Sequence, residues 1–188
     1  MGQLLMCRES TPIEISPLPD GYTLHAFHKD NDPEMPLEKL RSEWSRVVIP
    51  DIPVPFENYY DDDRIPADGI YYILDPNGTF VSTATVQLNV HEDDTGTVHM
   101  VATDPAHRGK KLGRIVTEAV VAHCNRLGLP RTYLTTDDER EHAVMLYLNL
   151  GFLPVIYEPG EKERWDTLLS HLGLGSYPYI YPDKELRA

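Results

Sequence analysis

Cysteine is nearly missing from this chain: Cys7 and Cys124 are the only two in 188 residues, and they lie far apart. Two such thiols make neither a disulfide framework nor a cysteine metal cluster, so a reducing compartment, the cytoplasm, is the expected location. Basic residues are scarce as well. Seventeen Lys and Arg stand against 30 Asp and Glu, a formal net charge of -13, too small a positive footprint for a nucleic-acid partner. Such a charge suits solubility first and the attraction of a cationic substrate second. No apolar run approaches the length of a membrane span. Met1-Gly2-Gln3-Leu4-Leu5-Met6 has neither the Ser or Thr of an N-acylation signal at position six nor the apolar length of a signal peptide. A membrane partner is therefore not expected. Also missing are a Ser-His-Asp order and the spacings of a zinc site, so hydrolase and metalloenzyme chemistry find no support and no metal ligand is nominated. With no repeat or linker dividing it, the chain reads as one domain over residues 1–188.

What is present centres on Thr97 to Leu127. Val98, Met100 and Ala102 alternate with Thr97, His99, Val101 and Thr103, the period-2 pattern of a strand. Arg108-Gly109-Lys110-Lys111-Leu112-Gly113 follows, and then Ile115, Val116, Ala119, Val120, Cys124 and Leu127 recur at helical spacing until Gly128 and Pro130 stop the run. A glycine turn between a strand end and a helix start leaves main-chain N–H groups unpaired at the positive end of the helix dipole. That is an anion site in outline. Arg108, Lys110, Lys111 and Arg114 gather positive charge there in an otherwise acidic protein.

Around this centre the pattern is regular. Pro12, Pro17 and Pro19 predict an extended N-terminal arm or edge segment over residues 1–20. Gly21 to Phe27 reads as a strand, and Asp30-Asn31-Asp32-Pro33 as the start of a helix that continues through Leu37, Leu40, Trp44 and Val47. Asp51 to Gly69 is an irregular loop with the acidic run Asp61-Asp62-Asp63. Ile70–Leu74 and Phe80–Val86 form a hairpin about Asp75-Pro76-Asn77-Gly78. Arg131–Thr135 is a further strand. Thr136 and Glu139 have capping-box spacing for a helix through Ala143, Tyr147 and Leu150, with Phe152–Tyr157 as the strand after it. Residues 160–188 hold a short amphipathic helix and an aromatic tail, Tyr177 to Pro182, that packs on the domain or on a second copy in a homodimer.

The glycine turn resembles the pyrophosphate loop of the GNAT superfamily of acyl-CoA N-acyltransferases, (Q/R)-x-x-G-x-(G/A). Arg108 and Gly113 fit its ends, and Lys111 stands where the family usually has its middle Gly. Ala143 to Phe152 resembles a second family signature, A-x-x-L-Y-x-x-x-G-F. Seven residues before Tyr147 the family often has Asn, and this chain has Arg140. The resemblance implies an α/β (α+β) fold with a mixed, mostly antiparallel central sheet flanked by helices, its fourth and fifth strands splayed to admit CoA. It implies acetyl-CoA as co-substrate, with main-chain groups of Val101, Ala102 and Thr103 holding the pantetheine arm. Arg108, Gly109, Lys110, Lys111, Leu112, Gly113 and Arg114 would hold the pyrophosphate. A strand N–H near Val101 would meet the oxyanion, and Tyr147 would be general acid to the CoA thiolate. The acceptor is then a primary amine of a small molecule or peptide, with Glu92, His99 and Asp61 to Asp63 as candidate bases; His107 and His123 show no partner in the sequence. Two rivals stay open: a non-catalytic acyl-CoA-binding sensor or assembly module, and a site for another phosphate ligand such as a nucleotide.

Overall fold

The structure, a computed structural model, describes residues 2–29, 32, 35–50, 54–183 and 186. Its strands are β1 (Leu4–Glu9), β2 (Thr23–Phe27), β3 (Ile70–Leu74), β4 (Phe80–Leu88), β5 (Gly96–Thr103), β6 (Arg131–Thr136) and β7 (Leu153–Pro154). They build one seven-stranded sheet in the order β2-β3-β4-β5-β6-β1-β7. Every neighbouring pair is antiparallel except β5 and β6. The helices are α1 (Leu37–Val48), α2 (Phe56–Tyr60), α3 (Leu112–Arg126), α4 (Glu141–Asn149) and α5 (Glu161–His171).

Strand alternation sorts the core into layers. Tyr71 and Ile73 of β3 face the cluster built on Ile115, Val116, Ala119 and Val120 of α3 with Trp165 of α5. Ile70 and Tyr72 face the opposite cluster, where Leu40 and Trp44 of α1 meet Phe56 and Tyr59 of α2. In β1, Leu4 and Met6 join the α3 side, whereas Leu5 and Cys7 pack with Tyr133 and Val155 in a third cluster. The apolar residues of α1 and α3 thus meet opposite faces of one sheet, as amphipathic periodicity requires. Cys7 and Cys124 are both buried and free.

Four expectations are corrected here. Residues 1–20 are extended, but Leu4–Glu9 is an interior strand between β6 and β7, with Leu4 through Arg8 buried. The three prolines all follow it and constrain only the segment after Glu9. This extra strand shifts the count, so the pair expected to splay is β5 and β6. The helix start at Asp30-Asn31-Asp32-Pro33 lies largely outside the described residues, and α1 begins only at Leu37 behind Pro36. The Thr136–Glu139 capping box does not form: Thr136 is held in the ladder opposite Leu4, and α4 opens after Arg140 with no side-chain cap. The last strand is cut to Leu153–Pro154, beyond which Val155 bridges Ile180. That bridge, with Tyr177 and Tyr179 against the core, packs the aromatic tail on its own domain.

Candidate active site

The site begins where the sheet comes apart. β5 and β6 pair only at Gly96 with Thr132 and Thr97 with Tyr133, although β5 runs on to Thr103 and β6 to Thr136. Past Thr97 the β5 edge facing β6 therefore has no ladder, and polar main-chain groups that a sheet would use up become available. A bulge accompanies the split. The β4–β5 register shifts between Thr83 and Thr85, opposite Ala102 and His99, and Met100 takes φ 51°. The strict alternation expected for this strand fails there. Val98 and Val101 turn to the α3 cluster, Met100 and Ala102 to the α1 cluster. A bulge re-aims side chains in this way.

A cavity of about 320 Å³ fills the split. Val98 to Thr103 line it from β5, Thr135 and Thr136 from β6, and Ala143, Leu146 and Tyr147 from α4; Gln3, Arg108 and Arg140 complete it. Tyr147 is 7% exposed, and its hydroxyl has no hydrogen-bond partner among the described residues. Burial pushes the phenol up to about 12, against the opposing pull of the Arg140 charge. The ring meets Phe152 edge-on at 6.1 Å. β1 holds the end of the helix that carries it: Arg8 Nε donates to the Leu150 carbonyl at 2.9 Å, and its guanidinium also donates to Thr11. A cation on the last carbonyls of a helix complements its dipole.

The glycine turn supplies the other end. Asp104 accepts from Ala106 N at 2.9 Å and is ion-paired with Arg46 of α1, which fixes the 3-10 turn Pro105–His107 ahead of it. Gly109 has φ +81°, open to glycine at no steric cost. Lys111, the residue before α3, has φ 63° in the same left-handed region. No side chain caps α3, so its first N–H groups face outward unclaimed by a cap. At Gly113 a Cβ would lie 3.4 Å from Thr103 Oγ1, so the first turn of α3 sits tight against β5.

A second cavity, about 620 Å³, lies between this turn and α4. It shares Thr103, Arg108, Ala143 and Leu146 with the first, so the two form one groove from the turn to Tyr147. Nine of the ten residues expected at the co-substrate lie along it: Val101, Ala102, Thr103 and Arg108 on the first cavity, and Gly109, Lys111, Leu112, Gly113 and Arg114 on the second. Lys110 borders neither. Leu112 buries its side chain in the core and can offer only its main chain. Arg114 is bound to Glu118 at 2.6 Å, and Glu118 also accepts from Ser16 N and Oγ.

Of the candidate bases, His99 alone borders the groove. It stacks on Tyr59 with centroids 6.5 Å apart, and burial lowers its imidazole to about 4. Glu92 accepts from Tyr133 Oη at 2.6 Å and Arg131 at 3.2 Å, away from the cavity lining. Asp62 is held by Arg64, whose guanidinium keeps its carboxyl at about 2. His107 and His123 do have partners: Asp75 lies 3.6 Å from His107 Nε2, and Tyr71 Oη lies 2.9 Å from His123 Nδ1.

The half-buried His99 carries a prediction. Its folded pKa lies below the ordinary 6.5, so the unfolded chain binds the proton first. Stability is then complete above pH 6.5 and falls as the pH drops toward 4. His99→Gln should flatten the slope in that window, by up to about 3 kcal/mol between its ends. Urea unfolding of parent and variant at several pH values measures it, and parallel curves would refute it.

Some groove residues had no reading in the sequence. Gln3 reaches the cavity because β1 pairs with β6, and accepts from Thr135 Oγ1 at 2.9 Å. His142, exposed at the start of α4, faces the second cavity. Thr135 carried only a strand signal, and Thr136 only that of a helix cap.

Comparison with known proteins bears on this groove. The profile of the acetyltransferase (GNAT) family matches residues 26–152, well over half of the chain. The chain belongs to the GNAT acetyltransferase family. Members of this GNAT family use acyl-CoA as co-substrate. Among curated relatives, a mycothiol acetyltransferase of Thermomonospora curvata is 30% identical over 155 residues, 75% of this chain and 49% of that protein. Another, from Salinispora arenicola, is 32% identical over 154 residues, 76% of this chain and 48% of that protein. The chain thus spans about half the length of the curated relatives it matches. A GCN5-related N-acetyltransferase from Sphaerobacter thermophilus superposes with TM-score 0.65 at 18% identity, over 80% of this chain and 47% of that one. The ribosomal-protein-S18-alanine N-acetyltransferase of Escherichia coli gives 0.53 at 19%, over 69% and 76%. These two likenesses establish the GNAT fold. No described helix is long and apolar enough to cross a membrane.

Proposed function

We propose that this GNAT protein moves an acetyl group from acetyl-CoA to a primary amine. The observation that carries the reading is the single groove joining the glycine turn, the unladdered edge of β5 and the unpartnered hydroxyl of Tyr147. Main-chain N–H groups from Arg108 to Arg114 would take the pyrophosphate at the α3 dipole. Val101, Ala102 and Thr103 would pair with the amide-rich pantetheine as an added strand does. The amine nitrogen bonds to the thioester carbon, the N–H near Val101 steadies the oxygen as it gains charge, and the carbon–sulfur bond breaks. Tyr147 gives its proton to the leaving thiolate. Its raised pKa does not disqualify it, because the burial that lifts the phenol also lifts a thiol released beside it. His99, neutral and weakly basic, is a poor sink for the amine proton, which favours water as the carrier.

The acceptor is an amine of a small molecule or peptide. Acetyltransferases whose names carry mycothiol and an S18 alanine are among the relatives and neighbours, so a thiol-bearing amine and an alanine peptide belong in the first panel. One domain over residues 1–188 and a cytoplasmic site belong to the same reading, the latter supported by the free thiols of Cys7 and Cys124. The test is calorimetry with acetyl-CoA followed by thiol release across the amine panel. Saturable binding with release in at least one well is expected. Binding with no release from any amine would leave a binding module, and no heat at all would end the reading.

A further inference from the structure

Tyr147 sits on a short helix with a narrow hold on the core. Of the 9 residues of α4 only Val144, Tyr147 and Leu148 are buried, and no side chain caps its start. Its placement therefore depends on its end. There the Tyr147 carbonyl accepts from Leu150 N at 3.0 Å and from Phe152 N at 3.0 Å. The turn Leu150-Gly151-Phe152 is thus fastened to the backbone of the residue that carries the hydroxyl. Arg8 of β1 grips this turn from outside. Its Nε donates to the Leu150 carbonyl at 2.9 Å, and a Cβ on Gly151 would lie 3.7 Å from that Nε. The two Nη atoms reach the other way, to the carbonyls of Glu9 at 3.2 Å and Thr11 at 3.1 Å and to Thr11 Oγ1 at 2.8 Å. Arg8 is 7% exposed, and among the described residues no carboxylate pairs with it. A guanidinium buried without a counter-charge is costly. What it supplies is a rigid fork with donors on two sides, which neither an apolar residue nor a lysine reproduces. The far side of the fork leads to α3: Asn125 Nδ2 donates to the same Thr11 carbonyl at 2.8 Å, and Asn125 Oδ1 accepts from Ser10 Oγ at 2.9 Å. Arg8 thereby joins the last turn of α3, the helix whose first turn frames the second cavity, to the end of α4, whose Tyr147 lines the first.

We infer that Arg8 is a positioning residue for acetyl transfer, fixing the Tyr147 hydroxyl relative to the thioester sulfur by locking the end of α4 to the end of α3. The inference rests on the acetyl-CoA reading above, with Tyr147 as the acid. Arg8 lines neither cavity and acts only through the helix it holds. Proton transfer is steeply sensitive to such a hold, since a misplacement on the order of 1 Å costs about 100-fold in rate.

The experiment is a double-mutant cycle on rate. Arg8→Met and Arg8→Lys are made in the parent and in Tyr147→Phe, and each protein is measured for acetyl-CoA affinity by calorimetry and for single-turnover thiol release with the fastest amine of the panel. In the parent, Arg8→Met should lower the single-turnover rate roughly 10- to 100-fold, with Arg8→Lys in between, while acetyl-CoA affinity stays within about twofold. In Tyr147→Phe the same substitutions should change the rate by no more than about twofold, because the group they misplace is already gone. Thr11→Val removes one acceptor from the far side of the fork at an exposed residue and should give the same pattern on a smaller scale, so the test survives an Arg8 variant that folds poorly. A readout independent of the acceptor is the fluorine spectrum of 3-fluorotyrosine-labelled protein with acetyl-CoA bound. The Tyr147 resonance, identified by its absence in Tyr147→Phe, should shift or broaden in Arg8→Lys. An unmoved resonance, an unchanged rate, an equal loss of rate in both backgrounds, or a fall in acetyl-CoA affinity that matches the fall in rate would overturn the assignment. A parent that binds no acetyl-CoA or releases no thiol, or a Tyr147→Phe that turns over like the parent, would instead defeat the reading on which it rests.

Discussion

Tyr147→Phe should lower the turnover of thiol release by about 10²- to 10³-fold, the range that loss of a positioned general acid produces, while the affinity for acetyl-CoA stays close to that of the parent. The substitution is unusually clean. The hydroxyl has no protein partner among the described residues, so removing it orphans nothing. The ring keeps its edge contact with Phe152 and its place in the core, so the melting temperature should hardly move. A pH signature separates this role from a steric one. An ordinary tyrosine would begin to lose its proton near pH 10, whereas a phenol at about 12 stays protonated well above that. The parent's rate should therefore show no descending limb between pH 9 and pH 10, as roughly expected for an acid titrating so high. Single-turnover measurements are needed, because product release can mask the chemical step. Equal single-turnover rates for parent and variant would remove Tyr147 from proton transfer.

That Tyr147 and the glycine turn could be singled out from the sequence while Gln3 could not has a physical reason. Local patterns report local structure. The apolar period of α3, the turn Asp75-Pro76-Asn77-Gly78 with φ +77° at Gly78, and the strand character of Thr97 to Thr103 are all written within a few residues. Pairing between distant strands is not. Nothing in Leu4 to Glu9 says that it will slot between β6 and β7, and with that strand come Gln3 at the cavity and Arg8 at the end of α4. The bulge at Met100 was hidden for a related reason: its alternating neighbours read as an unbroken strand, and the extra residue shows only against the register of β4. Charge was legible by count but not by partner. Four cations stand together in the turn by sequence, yet Arg114 is neutralised by Glu118, one turn away on α3, and Lys110 borders neither cavity. The Thr136–Glu139 capping box failed because strand pairing claimed Thr136 first, tertiary context overriding a local motif.

Gly96→Ala should destabilise the fold by about 1–3 kcal/mol, a substantial share of the total stability of an ordinary domain. Gly96 begins β5 at the closed end of the split, where its pairing with Thr132 is one of the two ties between β5 and β6. Its φ is ordinary, so backbone freedom is not the reason for glycine here; space is. A Cβ would lie 2.3 Å from Cys124 Sγ and 3.2 Å from Cys124 Cβ, closer than packed atoms approach. Cys124 is fully buried on α3 and has little room to yield. The methyl group would act as a wedge between α3 and β5 at the point from which the two strands diverge. Loss of stability should come with weaker acetyl-CoA binding, because the first turn of the same helix frames the second cavity. Cys124→Ala removes the sulfur and alone should cost about 1 kcal/mol as a small cavity. The double variant should cost less than the two singles together, by roughly 1 kcal/mol or more, since the added methyl group occupies the space the sulfur vacates. Denaturant unfolding of the four proteins gives the cycle. Strict additivity would mean that the clash is relieved by rotation of Cys124, and that the closed end of the split is softer than its packing implies.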